Sequence, residues 1–338
     1  MAFKTYFSAK YILSKGALFN YALSDRSDGK TFDCKARALE DFEKNGSITV
    51  YLRRYKTEIT EKLYTTFFDE VLRIDGFEKY RDWTFKGSKQ GVQVKRPNED
   101  KFSWIIYFVP LSMSGKMKSQ LDVLKINMID YDEFIPLDDR YLHNEMTLLL
   151  EFWKSVDRDR DSVQLIVLGN KITPYSPFFD YFNLDMQITN EKVRLYRNGT
   201  LAVQIYANKE HRQVRNKSRF STLVEGTEYD EYNEGGVLKA LNLKVASHVG
   251  ATYFASFKTS KGEGTIWNSG FHTIISTYQR KDGFLIVDKM YNTGREEYTI
   301  SFGRFADFFK RKYRTGELFF EDEKSYHLFE DILKKVWN

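Results

Sequence analysis

Short apolar runs alternate with longer amphipathic stretches through the first 170 residues of the chain. Four runs are short and rich in branched and aromatic residues, which is typical of buried strands. They are ITVYL (48–52), FSWIIYFV (102–109), LKINMID (124–130) and QLIVL (164–168). Residues 140–156 carry Leu, Met and Trp at helical spacing, which predicts an amphipathic helix. Strands that alternate with helices predict an α/β domain with a mainly parallel sheet covered by helices on both faces.

The pattern changes after residue 185. VRLYRNGTLAVQIY (193–206) holds two strand-like runs around Asn198-Gly199, which predicts a β-hairpin. The next segment, 208–220, is polar and basic and is interpreted as a connector. Residues 225–236 are acidic and glycine-rich, which predicts a loop.

The C-terminal part of the chain has a third pattern. From about residue 243, strand-like runs separated by turns, including one at Asp282-Gly283, predict a meander that ends in FLIVDKM. SYHLFEDILKKVW (325–337) returns to helical spacing. We therefore predict an α/β domain at 1–197, a linker at 198–227 and a smaller α+β domain at 228–338.

Composition limits the function classes. The chain has 338 residues, 42% of them hydrophobic and 16% aromatic, which is enough for one large or two ordinary folded domains. A net charge of +5 permits a nucleic-acid partner without demonstrating one. The single cysteine, Cys34, excludes a disulfide framework. With no signal peptide or spanning apolar run, and no Cys/His cluster, we expect a soluble intracellular protein without zinc.

The stretch YALSDRSDGKTF (21–32) ends like a phosphate-binding loop, G-x-x-x-x-G-K-[ST]. In such a loop the backbone amides cradle phosphates, the lysine reaches the outer phosphates and the hydroxyl binds Mg²⁺. A strand-like run at 17–24 precedes it and a helix-like run at 31–46 follows, as the loop requires. The residues predicted to bind nucleotide are Ser24, Asp25, Arg26, Ser27, Asp28, Gly29, Lys30 and Thr31, with Thr31 also on the metal.

Two features depart from this loop pattern. Ser24 occupies the position of the opening glycine, where a Cβ restricts the turn, although serine is a small replacement. The carboxylates of Asp25 and Asp28 would repel phosphate, so we expect both to point outward. The alternative interpretation is a solvated turn that contains Gly-Lys-Thr by chance.

An acidic strand end supplies the second half of a nucleotide-hydrolysing site. In IDYDEFI (129–135), Asp132 is the candidate Mg²⁺ ligand and Glu133 the candidate base that polarises water. Asp130 lies on the same face of the strand, because side chains repeat every two residues, and is the rival Mg²⁺ ligand. The alternative is an ordinary strand end that meets an acidic loop.

The segment SVDRDRDSVQLIVLGN (155–170) adds Arg158 and Arg160 before a strand and Asn170 at its end. An arginine from a neighbouring subunit can offset charge on a phosphoryl transition state. A surface ladder of Asp and Arg explains the same spacing and is favoured on spacing alone. Asn170 is a candidate for contact with the γ-phosphate at a strand's carboxyl end, or alternatively a cap or turn.

Several motifs together resemble the DNA-packaging ATPases of small protein-primed tailed phages of the Picovirinae type. These motifs are ITVYLRRYKTEIT (48–60), IDYDEFI (129–135), LIVLGN (165–170) and SRFSTLVEGTEYDEY (218–232). The resemblance runs in order through roughly the first 230 residues and weakens toward the C-terminus. It implies a homo-oligomeric ring, taken to be a pentamer, that uses ATP and Mg²⁺ to drive double-stranded DNA into an empty capsid at the portal. The ring would work on the procapsid in the host cytoplasm, without a membrane, and a structural packaging RNA is a further candidate partner.

The resemblance also implies a fold and site roles. The fold would be a P-loop ATPase of the additional-strand, catalytic-glutamate class, followed by an RNase H-like domain without nuclease activity. Carried over by motif, Lys30 and Thr31 hold phosphate and metal, Asp132 holds the metal and Glu133 is the base. Arg158 becomes the trans-acting finger, with Arg160 as the alternate. Arg53 and Arg54 lie at a strand end near the nucleotide, with Arg53 counted among the ATP-binding residues; solvent-facing charge is their alternative.

Two departures and two competing functions remain open. Ser24 and Ser27 replace glycines common in family loops, and no basic residue follows Glu133 before Arg140. One alternative function is a nucleic-acid-binding assembly protein that does not hydrolyse ATP. The other is an active nuclease, which the strands predicted at 251–287 disfavour because they are almost free of acids. Glu263 sits in a glycine turn, and Asp288 stands alone at a strand end.

Overall fold

The computed structural model describes most of the chain, in two compact units. The described residues are 7–26, 28–136, 141–170, 176–184, 192–206, 219–224, 227, 245–259, 261–280, 285–287 and 299–337. The two units are Met1–Leu238 and Lys239–Asn338. Among the described residues, no helix combines the length and the apolar character needed to cross a bilayer.

One nine-stranded sheet organises the described part of the first unit. Its strands are β1 (Phe19–Ser24), β2 (Ile48–Arg53), β3 (Thr84–Ser88), β4 (Gly91–Lys95), β5 (Ser103–Pro110), β6 (Ile126–Asp132), β7 (Gln164–Asn170), β8 (Arg194–Tyr196) and β9 (Leu201–Ile205). Their spatial order is β3-β4-β5-β2-β6-β7-β1-β9-β8. The pairs from β5 across to β9 are parallel, and the pairs β3–β4, β4–β5 and β8–β9 are antiparallel. The predicted mainly parallel α/β sheet is confirmed.

Helices cover both faces of this sheet. The helices described in the first unit are α1 (Lys10–Leu13), α2 (Lys30–Asn45), α3 (Glu61–Thr65), α4 (Asp69–Leu72), α5 (Ser114–Met117), α6 (Glu145–Asp157), α7 (Pro177–Phe182) and α8 (Arg219–Val224). Alternate residues of β2 face opposite cores, as the strand period requires. Val50 and Leu52 pack in the core that holds Phe152 of α6, whereas Tyr51 packs in the core that holds Phe42 of α2.

Two strands extend further than the hydrophobic pattern indicated. β6 ends at Asp132 and β7 at Asn170, two residues beyond their predicted ends. Asp132 is therefore the last residue of its strand, where backbone pairing fixes its position. α6 begins at Glu145, five residues after its predicted start, and residues 137–140 lie outside the described part.

The predicted hairpin around Asn198-Gly199 is confirmed, but the predicted domain boundary at 197 is wrong. β8 and β9 are antiparallel, and β9 also pairs in parallel with β1. The next backbone amide, that of Tyr206, donates to the carbonyl of Leu23 at 2.7 Å. Residues 198–206 thus belong to the first sheet, since their backbone completes its hydrogen bonding. Most of the remaining predicted linker and the acidic loop lie outside the described residues.

A six-stranded mixed sheet organises the described part of the second unit. Its strands are β10 (Thr252–Thr259), β11 (Gly262–Ser269), β12 (His272–Ser276), β13 (Leu285–Val287), β14 (Thr299–Ser301) and β15 (Leu318–Phe320), with helices α9 (Ala306–Arg314) and α10 (Glu323–Trp337). The spatial order is β14-β13-β10-β11-β12-β15. Phe257, Phe309 and Phe329 form the centre of its core.

The meander prediction is correct for three strands only. β10, β11 and β12 are successive antiparallel neighbours, whereas β13 returns to pair in parallel with β10. A turn at Asp282-Gly283 would place β13 beside β12; that turn lies outside the described residues, and β15 occupies the position beside β12. The predicted C-terminal helix is confirmed by α10.

Gly169 of β7 is a tight packing position. A Cβ on Gly169 would lie 2.6 Å from Cε1 of Phe134 and 3.2 Å from Cδ2 of Leu23. The Phe134 ring is fully buried among Tyr21, Phe178 and Phe179, so it cannot swing away without disturbing other rings.

We expect Gly169→Ala to lower the free energy of unfolding by about 1–3 kcal/mol, because overpacking forces this cluster apart. Denaturant unfolding followed by circular dichroism measures the change. Gly115→Ala is the matched control, since no described atom comes within 4 Å of a Cβ at that helical position. Equal stability of Gly169→Ala and the parent chain would contradict the packing argument.

Candidate active site

The carboxyl ends of β1, β6 and β7 lie side by side. The register pairs Ser24 with Asn170 and Asp132 with Leu168, so all three strands end at one edge of the sheet. Open α/β sheets bind ligands at this edge. The loop that leaves β1 leads directly into the N-terminus of α2, where unpaired amides and the helix dipole favour anions.

Lys30 is held at this edge by side chains that the sequence predicted beside it. Gly29 caps α2 in the left-handed conformation, with φ of 90°, and Lys30 is the first helical residue. Its Nζ donates to Oγ of Ser24 at 2.8 Å, to the carbonyl of Asp25 at 2.8 Å and to Oδ1 of Asn170 at 2.9 Å. Lys30, Ser24 and Asn170 therefore converge on one point.

Asp25 and Asp28 do not point outward, which corrects the expectation from charge. Both residues are buried. Oδ2 of Asp28 accepts the backbone amide of Asp25 at 3.0 Å, and the carbonyl of Asp28 accepts the amide of Phe7 at 2.8 Å. The Asp28 carboxylate thus bridges the two ends of the loop and stabilises its shape from within. Arg26 is half-buried, and Ser27 lies outside the described residues.

Asp132 accepts several hydrogen bonds at the end of β6. Its Oδ2 accepts Oγ1 of Thr31 at 2.9 Å and the hydroxyl of Tyr51 at 2.6 Å, and lies 3.5 Å from Nη1 of Arg53. Burial and the charge of Asp132 raise the pKa of Tyr51 well above its ordinary value, so its hydroxyl remains a donor. Sequence reasoning missed Tyr51, although its position two residues before Arg53 places both on one face of β2.

Asp130 is the rival carboxylate, and it lies deeper in the protein. It is fully buried, and its Oδ1 accepts Nη2 of Arg37 at 2.9 Å. Nε of Arg37 donates to Asp33 at 2.7 Å. Burial raises the pKa of Asp130, although Arg37 counteracts this. Asp132, rather than Asp130, contacts the Thr31 hydroxyl, while Asp130 fastens β6 to α2.

Glu133 follows Asp132 in a left-handed backbone conformation, with φ of 58°. Its amide donates to Oδ1 of Asp132 at 3.1 Å, and its Oε2 accepts Nη2 of Arg53 at 2.6 Å. Nε of Arg53 donates to Glu58 at 2.9 Å. Burial would lower the pKa of Arg53, but the surrounding Tyr51 and carboxylates outweigh it and the pKa is raised. In this structure, Arg53 therefore bridges the acidic groups predicted for metal and base.

Arg54 and Arg160 are both engaged within the protein. Arg54 is buried, so the alternative of a solvent-facing charge is wrong for it. The guanidinium of Arg160 donates to the carbonyls of Asp157, Val123, Leu124 and Val156 at 2.8–3.1 Å. These bonds connect the end of α6 to the turn before β6. Because the guanidinium of Arg160 is engaged in them, they argue against Arg160 as the alternate trans-acting arginine.

Arg158 is exposed at the end of α6. Its amide caps the helix by donating to Lys154. Since α6 leads into the amino end of β7, Arg158 lies at the sheet edge opposite Lys30 and Asp132. The structure therefore does not bring Arg158 to the site within one chain.

Taken together, the fold and site define a mainly parallel α/β protein with a phosphate-loop type strand–loop–helix unit and an acidic strand end beside it. A family model described as podovirus DNA encapsidation protein (Gp16) matches residues 1–243. The chain belongs to this family, which confirms the resemblance seen in its motifs.

Individual relatives agree with this assignment. The DNA packaging protein of Bacillus phage phi29 is 28% identical over 228 residues, which cover 67% of this chain and 64% of the relative, just under two thirds of its length. The crystal structure of the N-terminal domain of the DNA packaging ATPase from bacteriophage phi29 superposes with a TM-score of 0.52 and 25% identity, covering 61% of this chain and 98% of that one. A chain of the bacteriophage phi29 genome packaging motor assembly shares the fold, with a TM-score of 0.68 and 19% identity over 98% of both chains.

The buried pair of Arg37 and Asp130 makes a stability prediction. Arg37→Met leaves a buried carboxylate without its charge partner, which we expect to lower the free energy of unfolding by about 3–5 kcal/mol. Denaturant titration measures it. Lys79→Met, which breaks the exposed ion pair with Glu43, is the control and should leave stability nearly unchanged. If both variants unfold alike, the pair does not fasten β6 to α2.

Proposed function

We propose that this protein is an ATP-driven translocase that packages double-stranded viral DNA into a preformed capsid. The observation that carries the proposal is the convergence of Lys30, Thr31 and Asp132 at one sheet edge. Oγ1 of Thr31 donates to Oδ2 of Asp132 at 2.9 Å. Membership of the DNA encapsidation family is the basis for proposing DNA as the substrate and a capsid as its destination. Hydroxyl and carboxylate oxygens suit Mg²⁺, and a lysine at a helix N-terminus suits a triphosphate.

Each residue has a defined part in this proposal. Lys30, Asn170 and the loop amides bind phosphate oxygens, and Thr31 and Asp132 hold Mg²⁺, which when bound offsets charge on the transferring phosphoryl group. Oε2 of Glu133 accepts the proton of the attacking water. Because Arg53 holds this carboxylate in the structure, Glu133 acts as a base only after that ion pair opens.

We further propose a homo-oligomeric ring, pentameric by the resemblance, at the capsid portal in the host cytoplasm, with a structural RNA as a candidate partner. Arg158, exposed and remote from its own site, is the arginine offered to a neighbouring subunit. Supporting observations are the fold shared with a chain of the phi29 motor assembly and the structural use of Arg160.

For the fold, we propose the additional-strand, catalytic-glutamate class of P-loop ATPase, with the second unit, from about residue 239, as a vestigial RNase H-like domain that binds nucleic acid. Several described acids of this unit are engaged by neighbours. Glu263 pairs with Lys258, Glu330 with Lys261, and Glu321 with Ser276 and His248. Within the described ranges, no three His, Cys, Asp or Glu side chains are grouped to hold a metal. These pairings favour a binding role over nuclease chemistry.

Glu133→Gln tests the catalytic assignment. Loss of the general base should lower the turnover of ATP by at least about 100-fold while binding of an ATP analogue persists. The measurement is ATP hydrolysis with and without double-stranded DNA, alongside analogue binding. Glu61→Gln, at an exposed position on α3, is the control and should hydrolyse ATP normally.

Equal turnover in Glu133→Gln and the parent chain would refute the catalytic role of Glu133. Absence of any DNA-stimulated hydrolysis in the parent chain would favour the non-hydrolysing assembly protein instead. Cleavage of plasmid DNA in the presence of Mn²⁺ would overturn the inactive-nuclease assignment.

Subunit mixing tests the ring proposal. Arg158→Ala subunits lack the finger, and Glu133→Gln subunits lack the base, so each is expected to be inactive alone. Mixed rings should regain turnover because a base from one subunit meets Arg158 of its neighbour. Lys154→Ala, on the same exposed end of α6, should keep full turnover alone. Mixtures that stay inactive at every ratio would exclude Arg158 as a trans-acting group.

A further inference from the structure

Arg54 connects three elements directly behind the acidic strand end. It follows β2 and is only 4% exposed. Its Nε and Nη2 each donate to the carboxylate of Glu145 at 2.9 Å, which forms a bidentate pair. The same guanidinium donates through Nη2 to the carbonyl of Phe134 at 2.7 Å and through Nη1 to the carbonyl of Glu133 at 3.3 Å.

Glu145 fixes this guanidinium from the other side. It is the first residue of α6 and is 3% exposed. Its carboxylate also accepts the hydroxyl of Tyr131 at 2.5 Å and the amide of Leu142 at 2.7 Å. Burial would lower the pKa of Arg54, but the hydrogen bonds and charge of Glu145 outweigh it and raise the pKa. The Arg54 guanidinium is therefore charged, and the Glu145 carboxylate that holds it is anchored by two further hydrogen bonds.

The backbone of Glu133 needs such support. A left-handed conformation costs a residue with a Cβ roughly 1–2 kcal/mol, so surrounding contacts must maintain it. The Asp132 carboxylate accepts a hydrogen bond from the amide of Glu133, and the Arg54 guanidinium donates to the carbonyls of Glu133 and Phe134. Phe134 is in addition buried, with its amide donating to the carbonyl of Leu168. The direction of the Glu133 side chain thus depends on bonds made by its own main chain.

A purely stabilising role explains less of this geometry. A buried ion pair is often no more stable than well-packed apolar residues, because desolvation of both charges offsets their attraction. The Glu145 carboxylate accepts hydrogen bonds from two nitrogens of the guanidinium. The guanidinium also donates to the backbone carbonyls of Glu133 and Phe134, which the ion pair alone does not require. Arg53, next along the chain, contacts the Glu133 carboxylate itself, so the two arginines act on different parts of the same residue.

We propose that Arg54, held by Glu145, is a positioning residue that sets the direction of the Glu133 carboxylate toward the nucleotide. This inference rests on the proposed role of Glu133 as the base. Arg54 itself touches neither the Glu133 carboxylate nor the loop at Lys30 in any hydrogen bond of the described residues. Its effect on hydrolysis therefore passes through the backbone of Glu133.

The test uses Arg54→Lys and Glu145→Gln in the full chain. A lysine cannot satisfy a bidentate carboxylate and two carbonyls at once. We expect kcat for ATP to fall roughly 10- to 100-fold, since small misplacement of a catalytic group has effects of that size. Binding of an ATP analogue and KM should change little, because the loop is untouched. Glu145→Gln keeps the volume and an acceptor, so it should fold and show a smaller loss in the same direction.

Tyr131→Phe is the matched control. It removes one bond to Glu145 but leaves the bonds from Arg54 to the two carbonyls. It should lower the melting temperature as a buried hydrogen-bond deletion does, with kcat near that of the parent chain.

The outcomes separate this inference from the proposed function. Normal kcat in Arg54→Lys and Glu145→Gln, with Glu133→Gln inactive, would overturn the positioning role and leave the base assignment intact. Parallel losses of kcat and of analogue binding in Glu145→Gln would also overturn it, since they would show a general structural effect. Normal turnover in Glu133→Gln would instead refute the proposed function itself.

Discussion

The hydrogen bond between Thr31 and Asp132 is the contact on which the proposed nucleotide site of the first unit depends. Thr31 belongs to α2 and Asp132 to β6, so this bond closes the helix onto the strand end. Parallel pairing of β1, β7 and β6 brings the two elements together, because their carboxyl ends form one edge. In the proposed site, a metal and a triphosphate need oxygens and amides from both elements at once, and a sheet with another strand order would separate the two elements.

A layer of buried charge beneath this edge holds it in place. Arg37 joins α2 to Asp130, and Arg54 joins β2 to Glu145 of α6. Each arginine crosses between elements that carry a site residue. The pair above this layer consists of the exposed Glu133 and the half-buried Arg53, and it can exchange contacts while the carboxylates below stay fixed. Separation of a fixed lower layer from a changeable upper pair is what a cycle of binding and release requires.

Much of this architecture could be predicted from the sequence, and the failures have physical causes. The strand runs are strongly apolar, so their existence and the parallel sheet were predictable, as was the Asn198-Gly199 hairpin. Strand ends were not, because Asp132 and Asn170 are polar and their place in the ladder is set by neighbouring strands. The boundary at 197 failed for a related reason, since β9 pairs with β1 across a sequence separation that no local pattern records.

Among site residues, Lys30, Thr31 and Asp132 could be grouped by motif. Tyr51, Glu145 and the inward Asp28 depend on tertiary contacts, and charge alone predicted the wrong direction for Asp28.

The place where the chain leaves the first sheet has a mechanical consequence. β9 runs parallel to β1, and the amide of Tyr206 is bonded to Leu23, one residue before Ser24. The end of β9 thus lies beside the strand that leads into the phosphate loop. A force on the backbone at Tyr206 therefore acts on the hydrogen-bonded strands beside that loop. In the proposed translocase, such a force and nucleotide occupancy are coupled through the hydrogen bonds between β9 and β1.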